Sequence, residues 1–148
     1  MINWGILGLG RMGMTFANAI QETSNSNLTR IASKSGKTFK KFKNSTYENL
    51  IKDKNIDAIY ISTLNNTHAE LTIKAAQANK HILCEKPMAI KYEDVIKVFK
   101  QLKKSKVFFF EAIAYTLHPQ INSIINVIKS DEIGKIEKIK SYFGFRLR

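Results

Sequence analysis

The chain has 148 residues, 44% of them apolar, which is enough for one domain with a substantial core but too few for two full domains. Its formal net charge is +12, yet the lysines are spread over nearly every predicted helix and loop, which favours a solvated basic surface over a nucleic-acid site. No apolar run approaches the length of a membrane span, and the single cysteine, Cys84, excludes an internal disulfide and a cysteine-cluster metal site. We therefore expect a cytoplasmic protein with no metal, no membrane partner and no nucleic-acid partner.

The first strand of the chain runs into a glycine-rich turn, and a helical pattern follows the turn. Residues 2–7 predict a buried strand, and the turn supplies a set of candidate cofactor-binding residues: Gly8, Leu9, Gly10, Arg11, Met12 and Gly13. Gly8 permits a tight turn, Gly10 leaves bare backbone for a diphosphate, and Gly13 lets the helix lie close to the strand. Phosphates would bind the free N–H groups at the helix N-terminus. This context favours a dinucleotide-binding turn over an ordinary glycine-rich hairpin.

The next segments predict a second strand and then a weakly patterned stretch. The helix after the glycine turn is predicted to pack on the sheet through Met12, Phe16, Ala19 and Ile20. Residues 28–32 predict the second strand, residues 39–43 leave room for only a stunted second helix, and the third strand has no clear position. Ser33 and Lys34 follow the second strand where a dinucleotide fold recognises the ribose, and no acid is present there.

Two capping boxes predict the starts of further helices. Residues 45–48 begin a short helix, and residues 67–70 begin one that ends near Asn79. The remaining strands of this part are predicted at residues 56–62, 81–84 and 107–110, and the first and last of them are apolar enough to be buried. A helix between the last two strands carries its apolar residues on one side: Val95, Ile96, Phe99 and Leu102. This alternation predicts an α/β fold of the Rossmann type, a doubly wound parallel sheet.

The pattern changes towards the C-terminus. Residues 113–119 are irregular, residues 121–129 predict an amphipathic helix, and residues 136–145 alternate as a half-buried antiparallel strand does. We therefore expect a dinucleotide-binding domain at 1–118, and at 119–148 a connecting helix and the first strand of an incomplete C-terminal α+β domain. Because that strand has no visible sheet partner, we also expect a homo-oligomer formed through it.

Polar residues follow the predicted strands, and the carboxyl ends of parallel strands share one ligand-binding edge. Beyond the glycine turn, the candidate cofactor-binding residues at this edge are Ser33, Lys34, Thr63, Leu64, Asn65, His68, Glu85, Lys86 and Glu111. His68 lies in the first turn of a helix, which makes it a weaker candidate for a catalyst than Lys86.

Lys86 is the candidate catalytic residue because it precedes Pro87, which forces an extended backbone and a rigid turn. An amine in that place can hydrogen-bond a substrate hydroxyl during hydride transfer. A surface ion pair between Glu85 and Lys86 is the alternative interpretation.

Three segments in the same order resemble the N-terminal part of the glucose–fructose oxidoreductase/inositol dehydrogenase (Gfo/Idh/MocA) family. They are residues 8–13, residues 69–89 with Glu85-Lys86-Pro87, and residues 111–120 with His118-Pro119. The last segment is most similar to the dihydrodiol and xylose dehydrogenase branch. Leu64 and Thr116 depart from the family pattern, where a proline and an arginine are usual.

The resemblance implies hydride transfer between a nicotinamide cofactor and a small-molecule sugar, polyol or related cyclic alcohol. It places Lys86 at the nicotinamide and the Thr63–Asn65 loop beside the cofactor. Ser33 and Lys34 resemble the Ser-Arg pair of members that prefer NADP, so NADP is the expected cofactor and NAD the possible one. The family's C-terminal sheet domain is missing, so the chain is expected to be catalytically incomplete. A nucleotide-binding sensor without catalysis, or a non-functional truncated remnant, remains the alternative.

Overall fold

Six parallel strands form one sheet in the first of the two compact units of the chain, Met1–Ala112 and Ile113–Arg148. The structure is a computed structural model that describes residues 1–142 and residue 144. The strands are β1 (Ile2–Leu7), β2 (Ser26–Ala32), β3 (Asn44–Ser45), β4 (Ala58–Ile61), β5 (His81–Cys84) and β6 (Phe109–Glu111).

Their order across the sheet is β3-β2-β1-β4-β5-β6. Leu7 at the end of β1 lies beside Ala32 of β2 and Ile61 of β4. The chain therefore reverses its direction of winding at β1, and this switch point is where open α/β sheets bind their ligands.

Helices cover both faces of this sheet. The helices of the first unit are α1 (Arg11–Ile20), α2 (Tyr47–Lys52), α3 (His68–Gln77) and α4 (Tyr92–Ser105). One apolar cluster joins α1 to the sheet through Ala17, Ile20 and Ile6. The other joins the remaining helices to the opposite face and contains Leu50, Leu71, Val98 and Leu102. The predicted Rossmann-type α/β fold is confirmed.

The buried face of α1 differs from the predicted one. Gly13, Ala17 and Ile20 are buried, whereas Met12 is 44% exposed and Ala19 faces solvent. The close packing of Gly13 against the end of β1 turns the Gly13 side of the helix towards the sheet. Met12 therefore lies at the open end of the glycine turn.

The predicted short helix at residues 39–43 does not form. Phe39 and Phe42 instead make an antiparallel bridge, with the Phe42 N–H 2.9 Å from the Phe39 carbonyl oxygen, and the Phe39 side chain is buried. The third strand, β3, follows directly and has only two residues. So short an edge strand produces no recognisable apolar pattern in the sequence.

Both predicted capping boxes are corrected by the structure. Thr46, not Ser45, caps α2, and its hydroxyl accepts the Asn49 N–H at 3.1 Å. Thr67 gives no side-chain cap to α3, because its hydroxyl donates to the Leu64 carbonyl oxygen at 2.7 Å. Glu70, the other half of that box, pairs with Lys74.

The apolar residues at the β6 edge are more exposed than predicted. Phe108 is 81% exposed and Phe110 is 42% exposed, because β6 has only β5 as a neighbour in the described sheet. Ile96 and Phe99 of α4 are exposed too, since α4 packs through its other apolar side chains.

The second unit contains the helix α5 (Pro119–Lys129), as predicted. The His118 side chain caps it by accepting the Gln120 N–H at 3.2 Å. Residues 136–142 carry no strand, and Phe143 and Phe145 of the predicted antiparallel strand lie outside the described residues. The predicted strand therefore does not form over residues 136–142. A domain boundary after residue 118 stays a prediction. None of the helices in the described part of the chain is both long and apolar enough to cross a membrane.

Candidate functional site

The glycine turn after β1 contains two glycines that the fold requires and one that it does not. Gly8 has φ +90°, and a Cβ on it would lie 2.7 Å from the Ser62 carbonyl oxygen. A Cβ on Gly13 would lie 2.2 Å from the Gly8 carbonyl oxygen. A Cβ on Gly10 would meet nothing within 4 Å. The space beside Gly10 is therefore open, as a diphosphate would require.

The N-terminus of α1 opens onto this space. Gly10 precedes the helix with no side-chain cap, and the first turn contains no acidic residue. The first N–H groups of α1 are thus available to an anion. The Leu9 side chain is buried in the core, so only its backbone can contribute, whereas Arg11 and Met12 are exposed. These residues fit the diphosphate of a dinucleotide.

Ser62 joins the glycine turn to the end of β4. Its hydroxyl donates to the Gly8 carbonyl oxygen at 2.8 Å. In the loop that follows, the hydroxyl oxygens of Thr63 and Thr67 lie 2.6 Å apart. Leu64 is 75% exposed, and Asn65 is exposed beside it. The loop therefore presents Leu64 and Asn65 to solvent while its threonines hold its shape.

The segment after β5, residues 85–88, is tied down on three sides. The Tyr60 hydroxyl donates to the Glu85 carboxylate at 2.5 Å. The Pro87 carbonyl oxygen lies 2.8 Å from Nδ1 of His68, and the Met88 N–H donates to the Glu111 carboxylate at 2.8 Å. The contacts come from β4, α3 and β6 respectively, so three elements fix this short segment.

Lys86 lies between these anchors with its side chain exposed. The peptide bond from Lys86 to Pro87 is cis. In the described residues, no carboxylate lies within ion-pair distance of the Lys86 amine, and the Glu85 carboxylate binds Tyr60 instead. The alternative of a Glu85–Lys86 surface ion pair is not what the structure shows.

His68 takes a different place from that expected of a cofactor contact. It is fully buried, and Nε2 lies 3.2 Å from the Thr63 carbonyl oxygen while Nδ1 faces Pro87. Both ring nitrogens are occupied, so the imidazole has none left for a cofactor. Its side chain joins the loop after β4 to the segment after β5.

At the end of β2, the Asn44 side chain holds the backbone of Ser33. It accepts the Ser33 N–H at 2.7 Å and donates to the Ser33 carbonyl oxygen at 2.9 Å. The Ser33 hydroxyl lies 2.9 Å from that of Ser35. Lys34 is exposed, and its amine lies 5.8 Å from the centre of the Tyr47 ring. The backbone here is fixed and the amine projects from it.

A groove of about 620 Å³ begins beside Lys34 and continues between α2 and α3. Its lining includes Tyr47, Thr67 and Leu71. Burial raises the pKa of the Tyr47 hydroxyl, which therefore stays neutral. The other two lysines of the groove pair with glutamates, Lys52 with Glu48 and Lys74 with Glu70. Lys34 is thus the lysine of this groove with no carboxylate partner among the described residues.

Two further groups of the site remain neutral. Burial and the neighbouring Glu85 carboxylate raise the pKa of the Tyr60 hydroxyl. The hydroxyl therefore stays protonated and donates a hydrogen bond to Glu85. Burial raises the pKa of the Cys84 thiol to about 12. Cys84 is fully buried, so it is a core residue and no thiolate nucleophile.

The sequence does not indicate several residues that build the site. Tyr60 and Ser62 lie in a run that predicts only an apolar strand, and Asn44 lies in a stretch with no predicted element. A single phenol in an otherwise aliphatic strand was the one usable signal, because a buried hydroxyl needs a partner. The contacts of Ser62 and Asn44 depend on strand pairing and carry no sequence pattern.

The sheet order, the glycine turn at its switch point and the uncapped α1 N-terminus together define a dinucleotide-binding domain of the Rossmann type. The sequence matches the oxidoreductase family with an NAD-binding Rossmann fold, GFO_IDH_MocA, over residues 2–113. The chain belongs to this family, as the sequence motifs predicted.

Among its relatives, the chain is 30% identical over 142 residues to a myo-inositol 2-dehydrogenase of Thermotoga maritima, covering 88% of this chain and 42% of that protein. It is 34% identical over 102 residues to a D-xylose 1-dehydrogenase (NADP(+)) of Haloferax volcanii, covering 69% and 31% respectively. The crystal structure of a probable dehydrogenase from T. maritima superposes with a TM-score of 0.81 at 28% identity, covering 90% and 43% respectively. The chain thus spans less than half the length of these relatives.

Proposed function

We propose that this chain is the cofactor domain of an NADP-dependent oxidoreductase that acts on sugars, polyols or related cyclic alcohols. The observation that carries the proposal is the open space at Gly10, between two glycines that the fold itself requires. The fold itself does not require a glycine at position 10, because a Cβ there would meet no protein atom within 4 Å. A ligand that approaches the bare backbone does need it.

The adenosine end of the cofactor would lie on the β2 side of the switch point. Lys34 projects there beside the groove between α2 and α3, and no carboxylate follows β2 to accept the ribose hydroxyls. A 2′-phosphate carries charge that the Lys34 amine would attract and that an acidic residue would repel. These features support NADP over NAD.

The nicotinamide end would lie on the other side, towards the segment after β5. The cofactor supplies the hydride-accepting or hydride-donating ring when bound. The Lys86 amine, free of any carboxylate in the described residues, would hydrogen-bond the substrate hydroxyl and stabilise the negative charge that develops on its oxygen. The anchors of residues 85–88 would hold that amine in one place.

The relatives support the substrate class. Two of them are named for myo-inositol and for D-xylose, both polyhydroxylated small molecules. Since the chain spans 42% and 31% of those two proteins, much of a substrate site can lie outside it. We therefore propose that these 148 residues bind the cofactor but turn over substrate slowly or not at all.

Calorimetric titration with NADPH and NADH tests the cofactor proposal. NADPH should bind more tightly than NADH, and Lys34→Gln should weaken NADPH binding about tenfold while changing NADH binding less than about twofold. Lys100→Gln, which removes the same charge from the exposed side of α4, is the matched control and should change neither affinity. Equal or tighter NADH binding contradicts the NADP preference, and no binding of either cofactor contradicts the function.

The role of Lys86 is tested by Lys86→Met in any preparation that oxidises or reduces a sugar or polyol. We expect kcat to fall by roughly a hundredfold, the usual scale for a positioned proton donor, with cofactor affinity nearly unchanged. Normal kcat in the variant would remove Lys86 from catalysis. If the protein binds the cofactor but Lys86→Met changes no turnover, a nucleotide-binding sensor would be favoured instead.

A further inference from the structure

His68 bridges the two segments of the site that come from β4 and β5. It is the first residue of α3 and is fully buried. Nδ1 lies 2.8 Å from the Pro87 carbonyl oxygen, and Nε2 lies 3.2 Å from the Thr63 carbonyl oxygen. Thr63 begins the loop after β4, and Pro87 directly follows Lys86. A single side chain therefore spans the gap between these loops.

The chemistry of the two contacts assigns the donor. A carbonyl oxygen only accepts hydrogen bonds, and a neutral imidazole has one N–H to give. The shorter contact is therefore the hydrogen bond, which Nδ1–H donates to the Pro87 carbonyl oxygen. Nε2 then has no proton to give, so its 3.2 Å approach to the Thr63 carbonyl oxygen is a contact without a hydrogen bond.

The place of this hydrogen bond bears on Lys86. Tyr60 holds the residue before Lys86 in the chain, and Glu111 holds Met88 by its backbone N–H. Neither contact fixes the Pro87 carbonyl, which is the backbone group closest after Lys86 on its C-terminal side. His68 supplies that missing constraint from a rigid helix.

We propose that His68 is a positioning residue, whose Nδ1–H to Pro87 hydrogen bond sets the Lys86 segment in place relative to the Thr63 loop. This inference rests on the proposed function only in so far as those two segments flank the nicotinamide half of the cofactor. His68 itself touches neither cofactor nor substrate.

Three variants separate the hydrogen bond from the space that the ring fills. His68→Asn retains an N–H near the position of Nδ1, His68→Gln retains one near that of Nε2, and His68→Leu retains neither. Hydrogen exchange of the Met88 amide in the cofactor-free protein reports the order of the segment, and the Ile6 amide in β1 is the control for global stability. We expect His68→Leu and His68→Gln to speed Met88 exchange at least about tenfold, and His68→Asn less than about threefold.

Equal acceleration in all three variants would show that only the packing of the ring matters and would overturn the proposal. Unchanged Met88 exchange in His68→Gln would overturn it as well, and this comparison holds even where His68→Leu fails to fold. Parallel acceleration of the Ile6 amide would identify loss of global stability in place of a local role.

A second readout connects the positioning role to the cofactor. His68→Gln should weaken NADPH about tenfold and leave adenosine 2′,5′-bisphosphate, which lacks the nicotinamide, within about twofold. Equal weakening of both ligands would contradict a role confined to the Lys86 side of the site. If the unmodified protein binds neither ligand, the proposed function fails, and the exchange experiment alone still decides the role of His68.

Discussion

Two segments at the carboxyl edge of the sheet are built in opposite ways. The segment after β5, residues 85–88, is held by contacts from Tyr60, His68 and Glu111, and it presents one free amine, Lys86. The segment after β2, residues 33–43, contains five lysines and no acid, and most of it is exposed. Residues 85–88 therefore hold one positive charge in a fixed position. Residues 33–43 supply several positive charges on exposed side chains that make no ion pair among the described residues.

This difference suits the two ends of the proposed cofactor. A proton donor works only at hydrogen-bond distance from the reacting oxygen, so its backbone has to be rigid. A phosphate is attracted by charge over several ångströms, so the amines around it need less exact placement. The segment after β2 is held at its start by Asn44 and near its end by the buried ring of Phe39 and the Phe39–Phe42 bridge.

The largest effect is expected where the basic segment meets the core. Phe39→Ala should lower the free energy of unfolding by about 3 kcal/mol, because it removes a buried ring that packs against the cluster under α1. Phe42→Ala, which removes a half-buried ring three residues on, is the control and should cost clearly less. Urea unfolding measures both, and similar small losses would show that Phe39 does not anchor the segment.

A smaller effect is expected at the anchored segment. Tyr60→Phe should lower the free energy of unfolding by about 1 kcal/mol at pH 7, since the Glu85 carboxylate loses its donor while the ring stays in the core. The folded state raises the pKa of Tyr60 above its ordinary value near 10. Above pH 10 the unfolded chain therefore loses this proton first, and the wild-type protein loses stability.

The variant lacks that phenol, so the difference between the two proteins should narrow as the pH rises above 10. Urea unfolding at pH 7 and at pH 10.5 gives this difference directly, and the lysines, which titrate in both proteins, cancel from it. A difference that widens with pH would contradict the raised pKa.

The smallest effect is expected from the exposed amines of the basic segment. Lys41→Gln should change the free energy of unfolding by less than about 0.5 kcal/mol, because the side chain is exposed and makes no ion pair among the described residues. Thermal unfolding at low and high salt checks this. A loss above about 1 kcal/mol would mean that the lysines of this segment do fix its structure, as the contacts of residues 85–88 fix theirs.

The parts of the fold that the sequence predicts are those with local signals. The apolar runs of β4 and β5 and the glycine spacing after β1 predict strands, a turn and their parallel order, and the structure has them. The two-residue β3 has no such signal, because its pairing with β2 creates it. The bridge between Phe39 and Phe42 is an isolated backbone contact that no apolar pattern marks. The cap of α2 shifts by one residue since Ser45 lies within β3.

The site divides in the same way. The place of Lys86 follows from its position between a strand and a proline, so it can be predicted. The three contacts that hold its segment join residues that are 25, 19 and 23 positions apart in sequence. No sequence motif predicts contacts over such distances. The sequence position of His68 predicts a cofactor contact. In the structure the side chain is buried, and its two ring nitrogens face carbonyl oxygens of the protein instead.

The proposed function requires that the open space at Gly10 receives the diphosphate of the cofactor. Calorimetric titration of Gly10→Ala with NADPH tests it most directly, because the added methyl meets no protein atom within 4 Å and costs the helix N-terminus at most about 1 kcal/mol. We expect a variant that melts within a few degrees of the wild-type protein and binds NADPH at least tenfold more weakly. A folded Gly10→Ala protein that binds NADPH as tightly as the wild type would contradict it.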